Sequence, residues 1–185
     1  MTRSYAGGVG RVGVYPGSFN PPTIAHLAIA ETARRVHGLE RLVLSVSRRA
    51  LAKEHVERPP FDDRIAVLTE SVAHLDWLAV RVTELQLLAD VAAGFDLLVL
   101  GADKWRQIHD PVWYDDDPVA RDAALARLPS VAVVPRNGIA VPDELTLHVP
   151  GGITDGVSSS RARAGDHHLM TPEARAYATR TGVWA

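Results

Sequence analysis

A chain of 185 residues, 46% hydrophobic and 23% charged, is long enough for one compact domain with a buried core. Its 20 Lys+Arg against 22 Asp+Glu leave a net charge of −2, without the basic field of a dedicated nucleic-acid binder, so no nucleic acid is expected among its partners. The absence of cysteine excludes disulfides, thiolate metal sites and thiol catalysis. No apolar run approaches the ~20 residues that span a bilayer, and residues 1–10 lack the apolar stretch of a secretory leader, so a cytoplasmic protein without membrane contact is expected.

In chain order, residues 1–10 are expected to be a flexible lead and 11–185 a single domain. Arg11–Tyr15 reads as a buried strand, Thr23–Val36 as a helix stopped at Gly38, and Arg41–Val46 as a second strand. Phe61–His74 follows as a helix with Ile65, Leu68 and Val72 on one stripe, then strands at Trp77–Val82 and Asp96–Leu100 around a short helical piece near Glu84–Ala92. Pro118–Leu128 reads as helix, Ser130–Val134 and Leu145–Val149 as extended, and Ser159–Ala164 and Pro172–Thr181 as helices. The strands are continuous apolar runs, the habit of a parallel sheet buried on both faces, so a doubly wound α/β sheet with helices on both sides is expected. Ligands in such sheets sit beyond the carboxyl ends of the strands, where strand order reverses. The string Gly8-Val9-Gly10-Arg11-Val12-Gly13 fits GxGxxG, but it precedes the first strand instead of following one and is discounted.

The loop after Tyr15 carries the chemistry. Gly17 permits a tight turn that presents N–H groups at Gly17, Ser18 and Phe19, and the helix that opens after Asn20-Pro21-Pro22 adds partial positive charge suited to phosphate oxygens. Thr23 and His26, three apart, share a face of the first turn and are expected to point at that anion site, with the imidazole donating to a phosphate whose charge grows in a transition state. Taken alone, Thr23 also reads as a helix cap and His26 as an interior histidine. Far downstream, Ser158-Ser159-Ser160-Arg161-Ala162-Arg163 places hydroxyls at a helix start one turn from a guanidinium, a combination that grips polyphosphate; an ordinary Ser-capped surface helix has the same pattern.

The run from Gly17 to Leu27 resembles the phosphate-binding signature of the nucleotidylyltransferase superfamily, with Thr23 where the usual HxGH form has its first His. This variant is similar to that of the nicotinamide mononucleotide adenylyltransferases. Val157–Arg163 resembles the family's I-S-S-T-x-x-R signature, and Leu169–Trp184 its closing segment, so the likeness runs from Arg11 to Trp184. The resemblance implies a Rossmann-like fold and transfer of AMP from ATP to nicotinamide or nicotinate mononucleotide, as in NAD biosynthesis. It implies catalysis by His26, Thr23 and Arg163, and ATP contacts at Gly17, Ser18, Phe19, His26, Gly101, Asp103, Ser158, Ser159, Ser160 and Arg163. It also implies acceptor contacts at Lys53 and Trp113, and Mg²⁺ held mainly by the ATP phosphates without dedicated protein ligands. A homo-oligomer is left open.

The chain departs from these relatives in two places. Many carry a Trp two residues before a Glu after the third strand, and near Thr83-Glu84 there is none; the Ser/Tyr/Thr-rich helix start of the nicotinate-type enzymes is missing from Glu84–Gly94. An aromatic stack is worth about 0.5–1.5 kcal/mol beyond its buried area. Another phosphorylated acceptor such as a phosphopantetheine-like metabolite, CTP as donor, and a non-catalytic ATP-binding module therefore stay open. His167-His168 and His109-Asp110 have no third ligand at zinc-like spacing and are expected at the surface, and Asp115–Asp117 is expected to be a solvated loop and helix start.

Overall fold

Successive residues of each strand point to opposite sides of one sheet, and helices cover both sides. The computed structural model describes residues 10–48, 59–136, 138–154 and 156–184; most of the expected N-terminal lead, and Lys53, lie outside them. Among the described residues, β1 (Arg11–Pro16), β2 (Leu39–Ser47), β3 (Leu78–Thr83), β4 (Leu97–Gly101) and β5 (Ser130–Val134) form one sheet in the order β3-β2-β1-β4-β5. Every pairing is parallel, and Gly13 of β1 pairs with Leu42 of β2 and Leu97 of β4. Gly13 thus lies inside a strand, which removes the GxGxxG string from any strand-to-helix turn.

The helices are α1 (Ile24–His37), α2 (Phe61–Val72), α3 (Leu88–Val91), α4 (Ala102–Ile108), α5 (Pro118–Leu125), α6 (Ser159–Arg163) and α7 (Pro172–Thr181). One core layer joins Tyr15, Leu42, Leu44, Leu97 and Val99 to Ile29 of α1 and Leu68 of α2. The opposite layer joins the alternate residues Val14, Val43, Leu98 and Leu100 to Val91 of α3 and Ile108 of α4. Leu42, Leu44, Leu97 and Leu98 are fully buried, and truncating any one to Ala would cost about 2–5 kcal/mol. Gly38 ends α1 in the left-handed region at φ 61°, where its N–H reaches Arg34 O, while Arg34, Arg35 and His37 complement the helix's negative end. A third apolar cluster, with Val67 of α2, Ala162, Leu169, Met170, Ala174, Ala178 and Trp184, fastens the C-terminal segment to α2.

This is the expected Rossmann-like doubly wound sheet, with its order reversing between β1 and β4. Two elements differ from the sequence reading. Helix α4 was not anticipated, although Ala102, Trp105 and Ile108 carry its apolar face. Leu145–Val149 forms no sixth strand: Leu145 closes a 3₁₀ turn and a single parallel bridge links Thr146 to Val133. Its apolar signal comes from Leu147, which is buried in the core and donates its N–H to Val133 O at 2.8 Å. No helix among the described residues is long and apolar enough to cross a membrane.

Candidate active site

The loop between β1 and α1 is held at both ends. Gly17 N–H donates to Ser45 O of the neighbouring strand at 3.1 Å, and a Cβ on Gly17 would stand 2.8 Å from the Phe19 ring, so only glycine fits while Phe19 is buried there. Phe19 itself takes a positive φ of 43°, a conformation a bulky residue adopts only when the surroundings enforce it. The reward is an aromatic floor: Phe19 meets Tyr15 edge-on at 5.5 Å and His26 edge-on at 5.0 Å.

His26 stands in the first turn of α1, partly buried. Thr23 N–H donates to its Nδ1 at 3.0 Å, and Thr23 Oγ1 lies 2.9 Å from the same atom. An Nδ1 that accepts a backbone N–H carries no proton, so the neutral ring bears its hydrogen on Nε2. Among the described residues Nε2 has no hydrogen-bond partner and is not one of the enclosed polar atoms, which leaves an N–H donor open to a ligand. Burial, followed by the positive field of Arg136, lowers the His26 pKa to about 4, so the ring is neutral at physiological pH. Burial likewise raises the Tyr15 hydroxyl's pKa, which Arg136 opposes. Thr23 is completely buried: it orients the imidazole instead of facing the anion site, which corrects the expectation that both side chains point at ligand.

The distant Ser–Arg segment packs directly on this loop. Ser159 Oγ donates to Pro21 O at 2.8 Å, and Arg163 Nη1 donates to Asn20 O. Thr171 N–H donates to Pro22 O at 3.2 Å, and Trp184 Nε1–H to the buried Asn20 Oδ1 at 2.6 Å. The carbonyl side of the loop is therefore occupied by residues 159–184. Ser158 caps α6 by accepting Arg161 N–H at 3.1 Å, so Ser158 and Ser159 hold structure, whereas Ser160 and Arg163, joined at 3.2 Å, stay exposed. At the end of β4, Gly101 is the N-cap of α4 and Asp103 is an exposed carboxylate in its first turn.

On the other side of Gly17 and Ser18 lies a cavity of about 240 Å³ formed where β1, β2 and β3 end. Its wall includes Phe61 and Arg64 from the start of α2, Arg48, Lys104, Trp113 and Tyr114. Phe61 is flanked by two guanidiniums, with Arg48 Cζ 4.3 Å and Arg64 Cζ 5.2 Å from its ring centre. Trp113 thus lines this cavity. Around Thr83 the cavity is lined by Leu85, Gln86, Leu87 and Leu88, so its aromatic groups come from α2 and the 3₁₀ turn Pro111–Tyr114 instead.

Sequence reasoning missed Arg136, just beyond β5, and Arg48, Phe61 and Arg64. Arg136 Nη2 donates to Val157 O at 3.1 Å, tying the end of β5 to the residue before the Ser–Arg segment. Its position after a β-strand end was a usable signal; Arg48 and Arg64 carry no motif. His167 corrects another expectation, since its Nε2 is buried without a partner among the described residues, while His109 and His168 are exposed. Asp117 caps α5 through Val119 N–H at 2.8 Å, as a helix-start residue should. No three His, Asp or Glu side chains cluster as metal ligands among the described residues.

Residues 14–165 match the cytidylyltransferase-like family. Among curated proteins, the chain is 29% identical over 122 residues to a probable nicotinate-nucleotide adenylyltransferase of Salinibacter ruber, covering 59% of this chain and 62% of that one. It is 33% identical over 116 residues to another so named from Chlorobaculum parvum, covering 53% and 58%. A phosphopantetheine adenylyltransferase of Herpetosiphon aurantiacus is 42% identical over 64 residues, 35% of this chain and 36% of the relative. The chain thus matches about three-fifths of the first two relatives' length. A parallel sheet with its order reversing at β1 and β4, a glycine loop leading to an oriented histidine, and a match over most of its length place this chain in the cytidylyltransferase-like family.

Proposed function

We propose that the protein is an adenylyltransferase that transfers the AMP of ATP to the phosphate of nicotinate or nicotinamide mononucleotide. An acceptor phosphate oxygen forms a bond to the α-phosphorus of ATP as the bond to the bridging oxygen breaks, and pyrophosphate leaves with that electron pair. No side-chain nucleophile is required, because positioning and charge stabilisation carry such a transfer. The observation behind this reading is the Thr23 N–H to His26 Nδ1 hydrogen bond of 3.0 Å, which makes Nε2–H a neutral, pre-aimed donor for the α-phosphate as charge builds on it. With Gly17 N–H committed to Ser45 O, the N–H groups at Ser18 and Phe19 would assist, and Ser160 and Arg163 would hold the β,γ-phosphates and the departing pyrophosphate. Gly101 and Asp103 would border the nucleotide at the end of β4. Mg²⁺, travelling with the triphosphate, would neutralise part of its charge. The cavity beside Gly17, with Trp113 and Phe61, would receive the acceptor.

A second reading keeps the chemistry but takes a phosphopantetheine-type acceptor; it is favoured by the Herpetosiphon match and by the aliphatic lining around Thr83. Pyrophosphate release with ATP or CTP, measured against nicotinate mononucleotide, nicotinamide mononucleotide and 4′-phosphopantetheine, separates them. Release with a pyridine nucleotide and ATP supports the first reading, and release with phosphopantetheine alone replaces it. ATP binding without release from any acceptor reduces the protein to a nucleotide-binding module.

A further inference from the structure

The cavity beside Gly17 holds a cation whose charge the described residues leave unanswered. Arg48 has carboxylates nearby, Glu84 at 3.4 Å and Asp62 at 3.8 Å, and Lys104 Nζ donates to Gln107 Oε1 at 2.6 Å. Arg64 has neither: no carboxylate among the described residues lies within ion-pair distance, and its Nε is enclosed without a hydrogen-bond acceptor. Its guanidinium rests 5.2 Å from the centre of the Phe61 ring, and the side chain lines the cavity. Burial lowers the Arg64 pKa, the signature of a charge removed from water. Leaving a partly desolvated guanidinium without a counter-charge costs free energy, which a carboxylate or phosphate in the cavity would offset.

We propose that Arg64 is the anion receptor of this cavity, docking a phosphate or carboxylate of the acceptor beside the Phe61 ring. The assignment rests on reading the cavity as the acceptor site. Arg64 is specificity-determining here: it holds the acceptor's charged group on the cavity wall, on the α2 side of the loop, away from the Ser160–Arg163 turn that faces the triphosphate.

Isothermal titration calorimetry with nicotinate mononucleotide, nicotinamide mononucleotide and inorganic phosphate, and with ATP as the control ligand, on the wild type, R64Q and R64K, tests it, with thermal melting to establish that both variants fold. R64Q is expected to lose about 10- to 100-fold in affinity for the bound acceptor, with R64K in between and ATP affinity unchanged. Equal loss for both mononucleotides identifies the docked group as the phosphate; loss confined to nicotinate mononucleotide identifies it as the ring carboxylate. Wild-type affinity in R64Q for every probe overturns the assignment while leaving the adenylyltransferase reading intact, as does an equal loss for ATP. Arg64-dependent binding of inorganic phosphate with no affinity for either mononucleotide overturns the acceptor and keeps the receptor. A wild type that binds none of the three overturns both.

Discussion

The two sides of the Gly17 loop were built by different means. The phosphate side is made of short segments whose residues are close in sequence, Gly17 to His26 and Ser158 to Arg163, joined by hydrogen bonds to the backbone. The cavity side gathers Arg48, Phe61, Arg64, Lys104 and Trp113 from separate elements, each through a side chain. The loop side is thus held by main-chain geometry that tolerates few residues, while the cavity wall depends on individual side chains.

That contrast is broken most sharply at His26. His26→Ala is expected to lower kcat about 10²–10³-fold, about 2.7–4 kcal/mol, with little change in the KM of either substrate; a pyrophosphate-release assay that finds wild-type kcat removes the phosphate side from the reaction. The same residue sets a pH dependence. Because the folded pKa, about 4, lies below the unfolded value of 6.5, the unfolded chain binds the extra proton between those values. Stability from this group is complete above about 6.5 and falls as pH drops toward 4, by up to about 3 kcal/mol; calorimetric melting should show the loss, and His26→Asn should flatten that part of the curve.

Arg163→Ala is expected to reduce kcat/KM for ATP by about 10–100-fold, the worth of a charge-assisted contact, without altering acceptor KM in steady-state assays. Trp184→Phe keeps the ring against Tyr177 but strips Asn20 Oδ1 of its donor, at about 1–3 kcal/mol. Tm should fall by about 2–4 °C per kcal/mol, and kcat with it, while acceptor KM holds. The smallest effect belongs to the cavity: Trp113→Ala should raise acceptor KM about 3- to 10-fold and leave ATP KM alone, as loss of a stack worth about 0.5–1.5 kcal/mol implies.

Legibility follows the same division. The unbroken runs at Leu42–Val46 and Leu97–Leu100 announce strands buried on both faces, because an alternating strand has one wet side and these have none. His26 was legible because a helix turn fixes what lies three residues away. Its orientation was not: Thr23 has two polar groups in reach of an anion, and only coordinates reveal that both turn to the imidazole. Arg64 was invisible for a plainer reason, since a lone arginine on a helix reads as solvated until tertiary packing shows what it faces. Leu145–Val149 misled because one buried side chain, Leu147, and one bridge suffice to make a stretch look like a strand.

The carbonyls of Asn20, Pro21 and Pro22, with the Asn20 carboxamide, are all answered by residues from 159 onward. A ribosome making this chain finishes the sheet at Val134 some fifty residues before it supplies Trp184. Through that interval a nascent protein has its framework but not the partners that fix the loop after β1, so a stop before residue 159 leaves those carbonyls without their donors.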